Sequence, residues 1–572
     1  MLLKPRRILV SIFIITLVLC THLFAQESKP ELSAELKDKV DVLIQKLGDD
    51  KYAVRESAHA EIASLLQDTK TFDALLPYLK WQMDTTQDVE VKVRLERIAK
   101  PYLEFGITSS LLEKFPDIIA RLTSPDKEVR MQMLTELRDA KAVDPLMKTL
   151  ADAEPNVRKY AALALGKIKD TKAVGPLIKA LRDIHPDVRR SAATALGNIK
   201  DARGVVPLTS ALSDDDWIVR WDAAAALGEI RDPRAVEPLI RSLSDGWRDV
   251  REAAIYALCT IGDKRAIRPL ISVMQNENED PRVRGPAASA LGFLGDKDAV
   301  EPLINTLGDR NIGTTAAQAL GYIKDPRAVQ PLVKALSDQN FYMRMYAAWS
   351  LGEISDQRAV GALVEALNEK LLRWAAADAL GKIKDVRAVE PLIRVLLERD
   401  KDACSAVAEA LGKIGDPKAI EPLISTLSDT QSSVRKTVLE ALGNFNNARA
   451  VQVLARNLSD DDLEIRWASA NALVRTLSKD AVEPLVKALE NDDYVVQWIA
   501  ARGLGNLADL RAVVPLVRAL SSEDPDVREA AQESLNKIGK PALDSLKAAF
   551  EKEKDEKIKE KLKEIIEKIT KQ

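Results

Sequence analysis

Ala235-Val236-Glu237-Pro238-Leu239-Ile240 returns as Ala173-Val174-Gly175-Pro176-Leu177-Ile178 and again as Ala419-Ile420-Glu421-Pro422-Leu423-Ile424. Working outward, its proline belongs to a column at Pro145, Pro176, Pro207, Pro238, Pro269, Pro302, Pro331, Pro391, Pro422, Pro484 and Pro515, with Ala362 and Val453 filling the two gaps. A second column is the glycine of Ala-Leu-Gly, at Gly166, Gly197, Gly228, Gly292, Gly321, Gly352, Gly381, Gly412, Gly443 and Gly505, with Cys259, Val474 and Asn536 in the remaining places. Leucine precedes that position in all thirteen units. A period of 31 residues sustained over this length marks a repeat array, in which each unit buries its apolar face only against its neighbours.

Each unit reads as two helices. Proline in the first turn forfeits no hydrogen bond, so Pro-Leu-Ile-x-x-Leu opens helix A, and Ser-Asp or a similar pair closes it and caps the next helix. Helix B is expected to run from the Val-Arg pair through Ala-Ala-x-Ala-Leu-Gly, and Asp-x-Arg-Ala-Val is the turn into the next unit. Small residues five, four and two places before the glycine, such as Ala223, Ala224 and Ala226, allow successive helices to approach closely. The expected fold is all-α, an α-α superhelix of about thirteen regular helix-pair repeats with divergent repeats at its ends.

Pro-Leu-Ile, the Val-Arg pair and Ala-Leu-Gly resemble the HEAT-like repeats of the phycobilisome-lyase type, an armadillo-type solenoid family, from about residue 116 to 540. Thirteen units at about 10 Å each would form a curved rod of about 130 Å contour, with helix B on its concave side as the resemblance implies. Residues 26–115 hold divergent helical units, Val42-Leu43-Ile44-Gln45-Lys46-Leu47 among them, and residues 541–572 carry Ile558, Leu562, Ile565, Ile566 and Ile569 at the spacing of a charged capping helix.

Residues 1–25 have the form of a secretory signal peptide: Lys4, Arg6 and Arg7, an apolar run from Ile8 to Leu19, and a cleavage site after Ala25. The expectation is a secreted or periplasmic protein. Lipoprotein anchoring through Cys20 is disfavoured, because Leu19 stands where a small residue is expected. The apolar run is too short for a span, so no membrane insertion is expected after cleavage. Cleavage would leave 81 Lys and Arg against 87 Asp and Glu from the 84 and 87 of the full 572 residues, a net charge near −6. That balance argues against nucleic acid as a partner. Cys259 and Cys404 stand nearly five repeats apart, too far for a disulfide.

Chemistry-bearing motifs are scarce. The chain has no Gly-x-Ser-x-Gly, Walker-type loop or Cys-x-x-Cys, and none of its three histidines precedes a glutamate. HEAT-like deoxyhypusine hydroxylases are similar in repeat layout, but their di-iron site requires His-Glu pairs, and a lyase acting on pigment proteins fits poorly behind a secretory leader. No catalytic residue, metal site or cofactor is expected; His59 and His185 read as turn or surface residues. An enzyme or accessory subunit of the lyase or hydroxylase type is the alternative. The arginine column eight places before the glycine (Arg158, Arg189, Arg220) and the aspartate column six places earlier (Asp152, Asp183, Asp214, with Asp338 and Asp429 further on) predict a charge-assisted ladder between repeats rather than an anion-binding ridge.

Columns that vary between repeats face solvent or a partner. Seven before, three before and one after the glycine are i, i+4 and i+8 on helix B, hence a single stripe. Trp221, Tyr256, Phe293, Tyr322, Trp349 and Trp374 occupy it in six successive repeats, and Trp467 with Trp498 form a second cluster. Exposed Trp and Tyr anchor interfaces, so the expectation is a non-catalytic scaffold that binds a protein or peptide partner there. Packing of neighbouring aromatics on one another along the ridge is the competing reading. The segments Met274–Pro281 and Asp309–Thr315 depart from the regular repeat beside the first cluster.

Overall fold

The computed structural model describes residues 32–49, 51–400, 402–428 and 431–571, so the expected signal peptide lies outside the described residues. Their secondary structure is helical throughout, without a strand. The chain divides into two compact units, Met1–Asp263 and Lys264–Gln572, each built from stacked helix pairs.

One repeat of the first unit shows the pattern. A 3-10 turn, Ala202–Gly204, leads into helix A, Val205–Ala211, and helix B follows as Trp217–Ile230. The Asp201 carboxylate starts the turn by accepting from the Arg203 N–H at 2.9 Å. Asp216 starts helix B by accepting from the N–H groups of Ile218 and Val219 at 2.8 and 3.2 Å. Helix B therefore begins two residues before the Val-Arg pair, where the sequence reading had begun it, because the capping carboxylate fixes the start.

Helix B ends where residue +3 from the glycine turns left-handed. Lys169, Lys200, Arg231, Lys324, Ser355, Lys384 and Ala508 take φ between 49° and 63° there, whereas Gly262, Gly295 and Gly415 meet the same demand without a Cβ.

The core is made of small and branched apolar groups. In helix Trp217–Ile230, Val219, Ala223, Ala224, Ala226 and Leu227 are buried, and equivalent positions are buried in its neighbours. The glycine column sets the spacing between successive B helices. A Cβ on Gly166 would fall 2.7 Å from Ala195 Cα, and on Gly197 2.8 Å from Ala226 Cα; in the second unit, one on Gly352 would fall 2.7 Å from Ala379 Cα. Each glycine thus faces the small residue two places before the next glycine, and a methyl group there would push the helices apart. Where that small residue is serine, the hydroxyl donates backwards: Ser350 Oγ to the Ala317 carbonyl and Ser534 Oγ to the Ala501 carbonyl, both at 2.8 Å.

The first unit opens with helices Ala34–Leu47, Tyr52–Leu65, Thr69–Thr85 and Val89–Phe105. Buried Tyr78 donates to Asp41, and burial together with that carboxylate pushes its phenol up to about 12. His59 lies within helix Tyr52–Leu65, half-buried, rather than in a turn or on the open surface; the apolar positions Ala58 and Ile62 turn its face inward. Desolvation holds its pKa below the usual imidazole range. The second unit ends with helices Leu543–Lys552 and Glu556–Lys571; the latter buries Leu562, Ile565 and Ile569 against helix Pro525–Ile538 and its neighbour.

Candidate protein-binding surface

Two arginine columns are consumed inside the fold. Arg158 holds Asp183 through Nε and Nη2 at 2.7 and 2.8 Å, while its Nη1 donates to the Asp152 carbonyl at 2.7 Å. Arg189 repeats this with Asp214 and Arg220 with Asp245. Each carboxylate therefore serves the arginine of the preceding repeat, 25 residues earlier, and offers its carbonyl to the arginine of its own. In the second unit, Arg284 holds Asp309, Arg344 holds Glu369, Arg373 holds Asp400, and Arg435 holds Asp460. Asp338 has Gly313, not arginine, 25 residues before it, and Asp429 lies outside the described residues. Burial raises the Asp183 and Asp245 carboxyls, but Arg158 and Arg220 override it and hold both below the ordinary carboxylate range.

The second column is the arginine of Asp-x-Arg, which sequence reading took only as a turn. Arg203 chelates Asp201 and donates Nη2 to the Thr171 carbonyl of the previous turn at 3.0 Å. Arg234, Arg327, Arg358, Arg387 and Arg511 repeat the arrangement. Both columns thus tie repeat to repeat, the first largely buried and the second about half exposed.

The aromatic stripe is left for contact, and its members differ in surroundings. Trp221 (40% exposed) and Tyr256 (57%) in the first unit line a groove of about 400 Å³, with Ala225, Glu229, Asp249, Glu252 and Thr260. In the second unit, the Phe293 and Tyr322 rings stack at 5.0 Å, and half-buried Trp349 meets Tyr322 edge-on at 5.2 Å. These three do pack along their ridge, yet Phe293 remains 64% exposed. Trp374 lines another groove with Phe341, Lys370, Leu371 and Asp402. The second cluster is tied down: Trp467 Nε1 donates to Asp493 at 2.9 Å, and the Arg502 guanidinium lies 4.7 Å above the Trp498 ring.

Sequence reading stopped the stripe one turn short. Trp217 and Phe341 stand eleven before the glycine, i−4 from the first stripe position, and Trp217 stacks on exposed Trp247 at 4.8 Å. Extending the same i, i+4 arithmetic backwards finds Trp217 and Phe341; Trp247, at the N-cap of its helix, follows from no helical column.

Among the described residues, no cluster of three His, Cys, Asp or Glu is placed to hold a metal ion, and no helix is long and apolar enough to cross a membrane. Cys259 and Cys404 are not joined in a disulfide, and burial pushes the Cys259 thiol up.

The family model for HEAT repeats matches this chain over residues 115–183, 174–259, 247–314, 308–371, 334–403, 362–434, 399–474, 420–497 and 482–565. The chain belongs to the HEAT-repeat family. No curated protein matches it. Among solved structures it is similar to importin beta, crystallised in an ammonium sulfate condition, with 13% identity and a TM-score of 0.57 over 90% of this chain and 85% of that one. Kap95p with RanGDP gives 13% identity and a TM-score of 0.57, over 93% and 87%. Yeast importin-beta, Kap95p, gives 14% identity and a TM-score of 0.50, over 93% and 87%. These likenesses show the fold.

Proposed function

We propose that this HEAT-repeat chain is a non-catalytic scaffold that binds a protein or peptide partner along the aromatic faces of its B helices. The observation that carries the reading is the exposure of Trp221, Tyr256, Phe293 and Trp374 on stripe positions while the arginine columns beside them are spent on internal ties. Large aromatic side chains offer a large contact area at little cost in conformational entropy, and Trp and Tyr are enriched among the few residues that carry most of the binding energy at protein interfaces. The same fold in Kap95p is found with RanGDP and with Nup1.

Three finer points belong to this proposal. The repeats are of the phycobilisome-lyase type by their Pro-Leu-Ile and Ala-Leu-Gly pattern; residues 26–115 and 541–572 cap the regular array; and the leader over residues 1–25 directs the protein to the periplasm or outside the cell. Signal cleavage is tested by N-terminal sequencing of protein from the cell envelope, which is expected to begin at Gln26. The binding reading is tested by site-specific photo-cross-linking from the stripe.

A further inference from the structure

The grooves beside Trp221 and Trp498 are built from the same repeat positions. Each tryptophan stands seven before its glycine, Gly228 or Gly505. Carboxylates follow it at 28 and 31 residues on the next B helix: Asp249 and Glu252 after Trp221, Asp526 and Glu529 after Trp498. These side chains line the respective grooves. Tyr256 and Glu533 occupy the same place, 35 residues on.

The grooves differ four residues after the tryptophan. Arg502 stands there in one and places its guanidinium over the indole ring, in a groove that Asp526, Glu529 and Glu533 also line. Ala225 stands there in the other, whose lining residues include no Lys or Arg. In two other repeats the carboxylate of the 28-residue position takes a cation from across the repeat boundary: Lys159 reaches Asp187 at 3.5 Å, and Lys436 reaches Glu464 at 3.0 Å. At the Trp221 boundary an aromatic face stands in that cation's place; Asp249 pairs instead with its neighbour Arg248 at 3.2 Å and Glu229 with Lys200 at 2.7 Å, which leaves Glu252, hydrogen-bonded with Tyr256, as the groove's carboxylate for an outside cation.

Indole and carboxylates together favour a planar cation, because the ring quadrupole attracts positive charge and a guanidinium stacks on the ring while its edge donates to carboxylates. We propose that the Trp221–Tyr256 groove receives the guanidinium of an arginine in an extended basic segment of a partner protein. Arg502 over Trp498 is the chain's own version of the ring contact. The proposal rests on the interaction-surface reading and names the chemistry of the partner.

The test uses the mature chain and a fluorescein-labelled peptide carrying three arginines spaced by Gly-Ser, with a twin in which citrulline replaces arginine. Anisotropy at about 0.1 M ionic strength is expected to show the arginine peptide binding at least tenfold tighter than its neutral twin. Ala225→Arg, which recreates the Arg502 arrangement, is expected to lower that affinity at least tenfold, as is Glu252→Gln. Arg502→Ala opens the second groove and is expected to raise the number of peptide sites, a gain that misfolding would not produce. Equal affinity for both peptides, no binding of the arginine peptide by the wild-type chain, or undiminished binding by Ala225→Arg would overturn the proposal. Stripe cross-links to a partner that persist alongside any of these results would leave the scaffold reading standing, whereas their absence would remove that reading too.

Discussion

Gly503 faces Val474 across adjacent B helices, and a Cβ on Gly503 would collide with Val474 Cγ2. Elsewhere the glycine lies on the earlier helix and the small partner on the next, as with Gly381 against Ala410. Val474 occupies the glycine position of its repeat, and the next repeat answers with glycine two places before its own Gly505. The chain has exchanged the two sizes and kept the helix spacing.

Gly503→Ala is therefore expected to destabilise the protein by about 1–3 kcal/mol through overpacking, and Val474→Gly in the same chain to restore most of the loss. Urea unfolding of the two single variants and the double variant measures the coupling. Additive effects would show that the two residues do not sense each other.

Asp214 accepts two hydrogen bonds from Arg189 at 2.8 and 2.7 Å across a repeat boundary, with both side chains largely buried. Asp214→Ala leaves the guanidinium with carbonyl partners alone, and a loss of about 1–3 kcal/mol is expected. Arg189→Lys should recover little of the fork geometry. The urea midpoint of each variant against wild type is the readout.

The pH dependence is set by the sign of the shifts. Asp201, Asp232, Asp325, Asp356 and Asp385 are held below the ordinary carboxylate range by the arginine two residues on, and Asp509, in the same setting, falls to about 2. A carboxylate depressed by folding contributes stability that is complete above its unfolded pKa near 3.8 and is lost as pH falls through the folded value. Thermal stability is expected to fall steeply between about pH 4 and pH 2. Asp222 runs the other way: burial raises its pKa against the pull of Arg190, so Asp222→Asn is expected to leave the melting temperature at pH 7 unchanged or higher. Calorimetric scans across this range check both signs.

Lys200 closes its helix at φ 61°, where Gly262 and Gly415 close theirs without a side chain. Lys200→Gly and Lys384→Gly are each expected to stabilise by up to about 1 kcal/mol, since the left-handed conformation disfavours a Cβ. A decrease in the urea midpoint would mean that the lysine side chains contribute more at the helix C-terminus than the backbone strain costs.

The repeat period, the helix pairs and the close approach of helices over small residues were legible because each rests on local spacing repeated thirteen times, whereas the facing of each glycine by the next repeat's alanine came only with the stacking. The arginine ladder was legible as a ladder, but its register was not. Asp183 sits nearest Arg189 in sequence, whereas its carboxylate belongs to Arg158, a choice made by the stacking of helices. The turn arginines, such as Arg203, were invisible for the same reason: their acceptor is a backbone carbonyl of the preceding turn. The stripe was found by i, i+4 spacing, yet spacing alone does not separate Trp221, which lines an open groove, from Trp349, packed against Tyr322.

A partner bound on the B-helix stripe can be caught in place. A photo-cross-linking amino acid is introduced at Ala225, Gln318 or Asp378 on the stripe, and at Lys179 or Lys334 on A helices, in the protein expressed in cells. A discrete adduct to the same protein is expected from the stripe positions, diminished by Trp221→Ala with Trp374→Ala, and none from the A-helix positions. Adducts that are equal from both faces, or confined to the A helices, would contradict partner binding on the stripe.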